Sequence, residues 1–280
     1  MINAIIIVLF SGFFHALWNV CTKKSYNKIA FLFSVQVLSF IVFAPIFLPK
    51  LFQINFISKA GLLFVLSMMA HGIYFIFLAR LYTIADLSQS YPIIRGSSLL
   101  IIPLFGVLFL KEDLSILGWI GILIIISGIF FISEIRLSKL NYKILLLALI
   151  VGATIAAYIV IDKLASKYID VISLNQIGTL GNIIALLPFI LKDRAQNLVK
   201  EWKLNYKAIA IGAVLAPLSY MLFLWAINIY SISVLTPIRE FGTVFGALIG
   251  ALFLKEKNGK NRVISSIIIT CGMFLLMVWH

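Results

Sequence analysis

Nine residues, LFGVLFLKE at Leu104–Glu112, return as LIGALFLKE at Leu248–Glu256, with seven identities at an offset of 144 positions. Each copy closes an apolar stretch long enough to cross a bilayer, so the chain reads as two copies of one membrane-embedded unit. If each unit holds five spans, an odd number, the second must enter the membrane upside down relative to the first. Inverted repeats of this kind underlie many secondary transporters.

The surrounding sequence fits that reading. With 62% hydrophobic and 12% charged residues and a mean hydropathy of +1.11, the chain is far too apolar for a water-soluble domain. The apolar runs are too long and too even for barrel strands, and only helices and closed barrels satisfy their backbone hydrogen bonds in lipid. At about 20 residues per span, helices are expected near 3–22, 29–49, 60–82, 87–110, 115–133, 144–165, 171–191, 206–228, 232–254 and 262–279. The expected fold is all-α and integral to the membrane, with ten transmembrane helices as two inverted five-helix repeats, residues 1–138 and 139–280. The basic linker SEIRLSKLNYK separates them. The N-terminus has no basic region or small-residue cleavage site before Lys23, so it reads as a retained first span. Cys21 and Cys271 lack metal-like or redox-like spacing and read as packing residues.

A net charge of +13 does not point to nucleic acid, because the basic residues cluster at span ends. Sixteen of the 23 Lys and Arg residues fall in the loops joining spans one and two, three and four, five and six, seven and eight, and nine and ten; five lie on the opposite side. The basic side is normally cytoplasmic, which puts both termini outside. The expected location is the cell membrane, crossed many times.

The remaining two basic residues, Arg95 and Arg239, share the repeat offset and lie about 10–12 Å into their helices. Burying arginine in a span costs about 2.5–3.5 kcal/mol on insertion scales, so such residues usually face a partner or a wet cavity. Each follows a proline, Pro92 or Pro237, that frees a carbonyl one turn earlier. They read as cavity cations, or else as helix locks that pair with acids or carbonyls. Glu240 is read as the one acid well inside a span, either a proton or amine site or half of a buried ion pair with a partner such as Arg95. Asp86 and Asp162 lie near span ends and read as solvated interfacial carboxylates.

His15, Trp18 and Asn19 share a face of the first helix by i, i+3, i+4 spacing, and His71 and Tyr74 repeat the pattern on the third. Tyr158 corresponds to Trp18, and Tyr220 to Tyr74. Aromatic rings with one polar end suit an amphipathic solute, although packing or interfacial anchoring is the plainer use of each. With Tyr91 beside Pro92, the candidate substrate-binding residues are His15, Trp18, Asn19, His71, Tyr74, Tyr91, Arg95, Tyr158, Tyr220, Arg239 and Glu240. Gly242, Gly246 and Gly250 form a strip for close helix packing, partly matched by Ser98, Ile102 and Gly106.

These residues carry a family resemblance. HALWN at His15–Asn19 followed by Lys23, ADLSQSYPIIRG at Ala85–Gly96, LFGVLFLKE, AAYIVIDK at Ala156–Lys163 and PIREFGTVFGALIGALFLKE at Pro237–Glu256 together resemble the drug/metabolite transporter superfamily, in the ten-helix group with two EamA domains. HALWN and YPIIRG resemble a subgroup that includes proteins associated with phosphonate utilisation. The resemblance implies a central cavity between the halves, alternating access, and transport of small organic solutes such as amino acids or sugars. It also implies cytoplasmic termini, against the loop-charge reading kept here.

The expected function is therefore secondary transport of a small polar or amphipathic metabolite, anionic or zwitterionic, with coupling to a proton or counter-substrate left open. No cofactor or metal is expected, and membrane lipid is the other partner. A membrane-embedded enzyme acting on a lipid-linked substrate is the alternative, but it needs a metal cluster or catalytic dyad, and no HExxH, P-loop or clear dyad occurs. A channel would call for a filter motif, which is also missing.

Overall fold

The computed structural model describes residues 1–23, 25–54, 57–85, 87–133, 141–192, 196–245 and 259–279; residues 23, 87–89, 91, 132–133, 259–260 and 262 are described by backbone only. The helices are α1 (Ile2–Lys23), α2 (Lys28–Leu51), α3 (Lys59–Ile84), α4 (Leu87–Leu110), α5 (Ile116–Ser133), α6 (Tyr142–Ala165), α7 (Val171–Lys192), α8 (Gln196–Ile229), α9 (Ile232–Arg239) and α10 (Gly259–Val278). Seven of them, α1–α4 and α6–α8, are long and apolar enough to cross a membrane, and α5 and α10 contribute shorter apolar stretches.

Polarity is distributed for lipid. Large apolar side chains such as Phe10, Phe109 and Phe274 face outward, while Ser11, Ser67, Asp162, Gln176 and Ser219 are buried inside the bundle. Water offers no partner in hydrocarbon, so polar groups must converge on one another. They do so beside an apolar core that includes Leu99, Ile102, Ile155, Ile159 and Phe223.

Packing follows the repeat. Exchanging α1–α5 with α6–α10 turns the α1/α8 contact into α6/α3, α4/α6 into α9/α1, α3/α7 into α8/α2 and α4/α5 into α9/α10, and every one of these pairs touches. The self-paired contacts α2/α7, α4/α9 and α5/α10 lie where such an exchange requires them. Glycine permits the closest approaches: a Cβ on Gly12 would stand 2.6 Å from the Arg239 carbonyl oxygen, and one on its counterpart Gly152 would stand 3.0 Å from the Ile94 carbonyl oxygen.

Two elements depart from the expected limits. Helix α8 begins at Gln196, about ten residues before the apolar run near 206 that marks the span. A non-helical Asn205 (φ −129°, ψ 23°) separates the polar first stretch from it. Glu201 holds that stretch in place: it is fully buried and accepts from the Asn27 N–H (2.6 Å) at the start of α2 and from Asn205 Nδ2 (2.6 Å). Helix α9 ends at Arg239, a break inside the expected 232–254 span, of which residues 246–254 lie outside the described residues. Pro237 cannot donate to the ladder, and the chain tightens into three-residue turns, Glu240 N–H to Pro237 O (3.1 Å) and Thr243 N–H to Glu240 O (2.8 Å), before helix resumes at 241–245. Its repeat counterpart α4 passes Pro92 unbroken.

Candidate functional site

Ser67, His71 and Tyr74 recur at i, i+4 and i+7, which puts them on one face of α3, toward α6. Opposite them on α6, Tyr158 and Asp162 are also one turn apart. The Asp162 carboxylate is fully buried and accepts three hydrogen bonds, from Ser67 Oγ (2.5 Å), His71 Nε2 (2.9 Å) and the Tyr220 hydroxyl of α8 (2.5 Å). The His71 ring stacks on Tyr158 with centroids 4.2 Å apart, and Tyr220 stands edge-on to it. Tyr74 leans on Tyr158 at 5.4 Å. Two donors from the first repeat and one from the second thus close on one carboxylate.

Asp162 is the main correction to the sequence reading. Its place near the end of α6 suggested a solvated interfacial group, and Glu240 stood as the sole deep acid. Asp162 is instead sealed from solvent because α3 and α8 run past the end of its helix turn and supply donors from both sides. The i, i+4 recurrence of Ser67/His71 and of Tyr158/Asp162 was the signal available for it.

Arg95 and Arg239 sit differently. Arg95 Nη1 donates to Glu240 Oε1 (3.0 Å), an ion pair across the α4/α9 contact, and Nη2 lies against His15 Nε2. The Trp18 indole N–H donates to His15 Nδ1 (3.2 Å), so His15 meets donors on both ring nitrogens. Arg239 Nε donates to Ser11 Oγ (2.9 Å) and Nη2 to Ser219 Oγ (3.0 Å), and its guanidinium lies over the rings of Phe223 (4.6 Å) and Tyr220 (5.8 Å). Those two serines lock α1 to α8 by exchanging hydrogen bonds with each other's carbonyls, Ser11 Oγ to Ser219 O (2.6 Å) and Ser219 Oγ to Ser11 O (2.8 Å). Sequence spacing gave no reason to single out either.

The result is a polar set in two parts, linked where Glu240 follows Arg239 in the chain: His15 and Glu240 on Arg95, and Tyr220, with Asp162 and His71 beyond it, beside Arg239. Of the candidate residues it joins His15, Trp18, His71, Tyr74, Arg95, Tyr158, Tyr220, Arg239 and Glu240. Asn19 is half-buried one residue beyond Trp18. The side chain of Tyr91, and Asp86, Gly246 and Gly250, lie outside the described residues. Gly242 packs on the Gly12 backbone of α1, not on α4. No group of three His, Cys, Asp or Glu side chains among the described residues could hold a metal ion.

The first copy of the LKE motif has a structural task. Lys111 adopts a left-handed φ of 57°, and this turn carries Glu112 to the start of α9. There Glu112 accepts from the backbone N–H groups of Ile232 (2.9 Å) and Ser233 (2.9 Å) and from the hydroxyls of Ser231 (2.7 Å) and Ser233 (2.6 Å). A carboxylate is favoured at a helix N-terminus by its unpaired N–H groups and dipole. Lys163 stands across a recess of about 440 Å³ and donates to the carbonyls of Ile227 and Tyr230 at the end of α8.

Comparisons with known proteins place this geometry in context. The EamA-like transporter family model matches residues 2–134 and again 142–278. A Listeria monocytogenes (serovar 1/2a, strain EGD-e) protein named "Putative sugar uptake protein lmo0169" is 26% identical over 210 residues, 71% of this chain and 70% of that one. A solved crystal structure is similar with a TM-score of 0.76 over 99% of this chain and 96% of its own, at 13% identity, a likeness of fold alone.

Proposed function

From the premise that the chain belongs to the EamA-like transporter family, we propose that it is a secondary active transporter of a small polar or amphipathic metabolite, anionic or zwitterionic. It works by alternating access between two inverted five-helix repeats, residues 1–138 and 139–280. In this reading ten helices span the cell membrane and both termini are external. The family makes the chain a membrane transporter and not an enzyme.

The observation that carries the substrate reading is Arg239. Its hydrogen bonds run to the hydroxyls of Ser11 and Ser219, and among the described residues no carboxylate pairs with it. Hydroxyls are weak partners for a buried guanidinium, and an anionic group supplies stronger, charge-assisted hydrogen bonds. Arg95 is already neutralised by Glu240. The rings of Tyr158, Tyr220 and Tyr74, with Trp18, His15, His71, Asn19 and Tyr91, complete the proposed site.

One observation favours a neutral sugar as a second reading. Asp162 among stacked aromatic rings is the kind of acceptor that hydroxyl-rich rings use, and the Listeria relative is named for sugar uptake. Thermal-shift measurements on the purified protein with 2-aminoethylphosphonate, alanine and glucose separate the two, because a ligand bound only to the native state raises its melting temperature. Stabilisation by 2-aminoethylphosphonate or alanine is expected. Stabilisation by glucose alone would transfer the assignment to the sugar, and no response to any of them would remove the support for both.

A further inference from the structure

The geometry points to Asp162 and His71 as a proton-binding pair that takes up one proton together with a singly anionic substrate. The coupling half of this rests on the transport reading above; the proton site itself does not.

The pair is built for a proton and poorly built as a static lock. A structural ion pair inside a bundle is normally a guanidinium or ammonium against a carboxylate, as in Arg95–Glu240 at 3.0 Å. Asp162 has an imidazole in that place, at 2.9 Å, with both groups buried. Ser67 and Tyr220 hold the carboxylate through hydroxyls, which can turn to donate or accept as its charge changes. With no added proton, the carboxylate is anionic and accepts the Nε2–H of a neutral His71. One added proton resides on Asp162, whose O–H then donates to a hydroxyl or to the other tautomer of His71, and the pair becomes neutral with little movement of heavy atoms.

The surrounding charge fixes what that proton offsets. The titratable and charged groups that face the pair, or act on the Tyr158 and Tyr220 rings beside it, are Tyr74 from α3, Arg95 from α4, Tyr158 from α6 itself, Tyr220 from α8, and Arg239 with the neighbouring Glu240 from α9. With both histidines neutral, Arg95 and Arg239 balance Asp162 and Glu240. A singly charged anion entering on Arg239 leaves one uncompensated negative charge in a low-dielectric interior, which is costly. One proton at Asp162–His71 restores neutrality, and Tyr220 touches both places, bonding Asp162 while its ring lies under Arg239. The loaded carrier is then electrically neutral.

The test begins with pH-difference infrared spectra of the full-length purified protein between about pH 4 and pH 9, the range that brackets ordinary carboxylate and imidazole titration. A protonated carboxyl gives a C=O stretch that a carboxylate lacks. The wild type should gain this band on acidification, Asp162→Asn should lose it, and Glu240→Gln should keep it. If Asp162→Asn does not fold, Ser67→Ala and Tyr220→Phe retain the carboxyl but remove one hydrogen bond each, and the band should move in both. A band that survives Asp162→Asn, vanishes only in Glu240→Gln, or stays fixed in Ser67→Ala and Tyr220→Phe would overturn the assignment. For coupling, 2-aminoethylphosphonate is added to vesicles with a trapped pH dye: the wild type should acidify the lumen, and Asp162→Asn should move no protons. Binding with no proton movement by the wild type would overturn the co-loading. Failure of the compound to bind would remove the substrate reading while the infrared result still decides the proton site.

Discussion

Arg95 and Arg239 occupy matching repeat positions and meet burial in opposite ways. Arg95 is bonded to Glu240 at 3.0 Å, so replacing it with glutamine strands a carboxylate inside the bundle. Removing one partner of a buried pair typically costs about 3–5 kcal/mol. Arg95→Gln and Glu240→Gln should each melt well below the wild type, and the double variant should recover much of the loss in a thermal unfolding cycle. Additive losses would mean that the two groups do not depend on each other. The depth and repeat register of both arginines were legible in the sequence because insertion cost depends on position along one helix. The Arg95–Glu240 pair was one of two readings the sequence left open for Glu240, whereas the Ser11 and Ser219 partners of Arg239 were not legible, since they depend on how α1 and α8 rotate against α9. Asp162 was misread for a related reason: distance from a helix end measures exposure only when neighbouring helices end at the same level.

Where helices begin and end is set partly by residues far away in sequence. Glu112 satisfies two backbone N–H groups at the start of α9, 120 positions downstream. Glu112→Ala should lower stability by about 0.5–2 kcal/mol, the usual cost of losing an N-cap. Lys111→Gly should raise it by roughly 1 kcal/mol, because the left-handed conformation there strains any residue with a Cβ. Thermal unfolding of the two variants reads both signs; an unchanged Glu112→Ala would show that α9 starts without the carboxylate. The repeated LKE ending was visible as a pattern but not as a cap, which exists only once α4, α5 and α9 meet. Pro237 announced a weak point in α9, yet the break falls after Arg239, where Gly12 and Gly242 bring two backbones into contact.

The whole molecule follows from the offset of 144 positions. Paired units predict that contacts survive an exchange of the halves, and the pairs α1/α8 with α3/α6, α4/α6 with α1/α9 and α3/α7 with α2/α8 do. Orientation is a separate matter that rests on sixteen basic residues on one side against five on the other. Reporter fusions in the loops after α7 and before α10 should read cytoplasmic, and fusions at both termini external. A cytoplasmic C-terminus in a full-length fusion would reverse the orientation and leave the repeat intact.

The central claim, that a substrate is held on Arg239 at the meeting of the two repeats, is tested most directly by counterflow of labelled 2-aminoethylphosphonate into vesicles. Wild-type protein is compared with Arg239→Gln that remains monodisperse. Glutamine keeps donors for Ser11 and Ser219 but carries no charge, and a lost charge-assisted hydrogen bond is worth about 1.5–3 kcal/mol. The wild type should show saturable counterflow, and the variant should need a concentration about tenfold or more higher for the same rate. Equal affinity and rate in the folded variant would contradict the account.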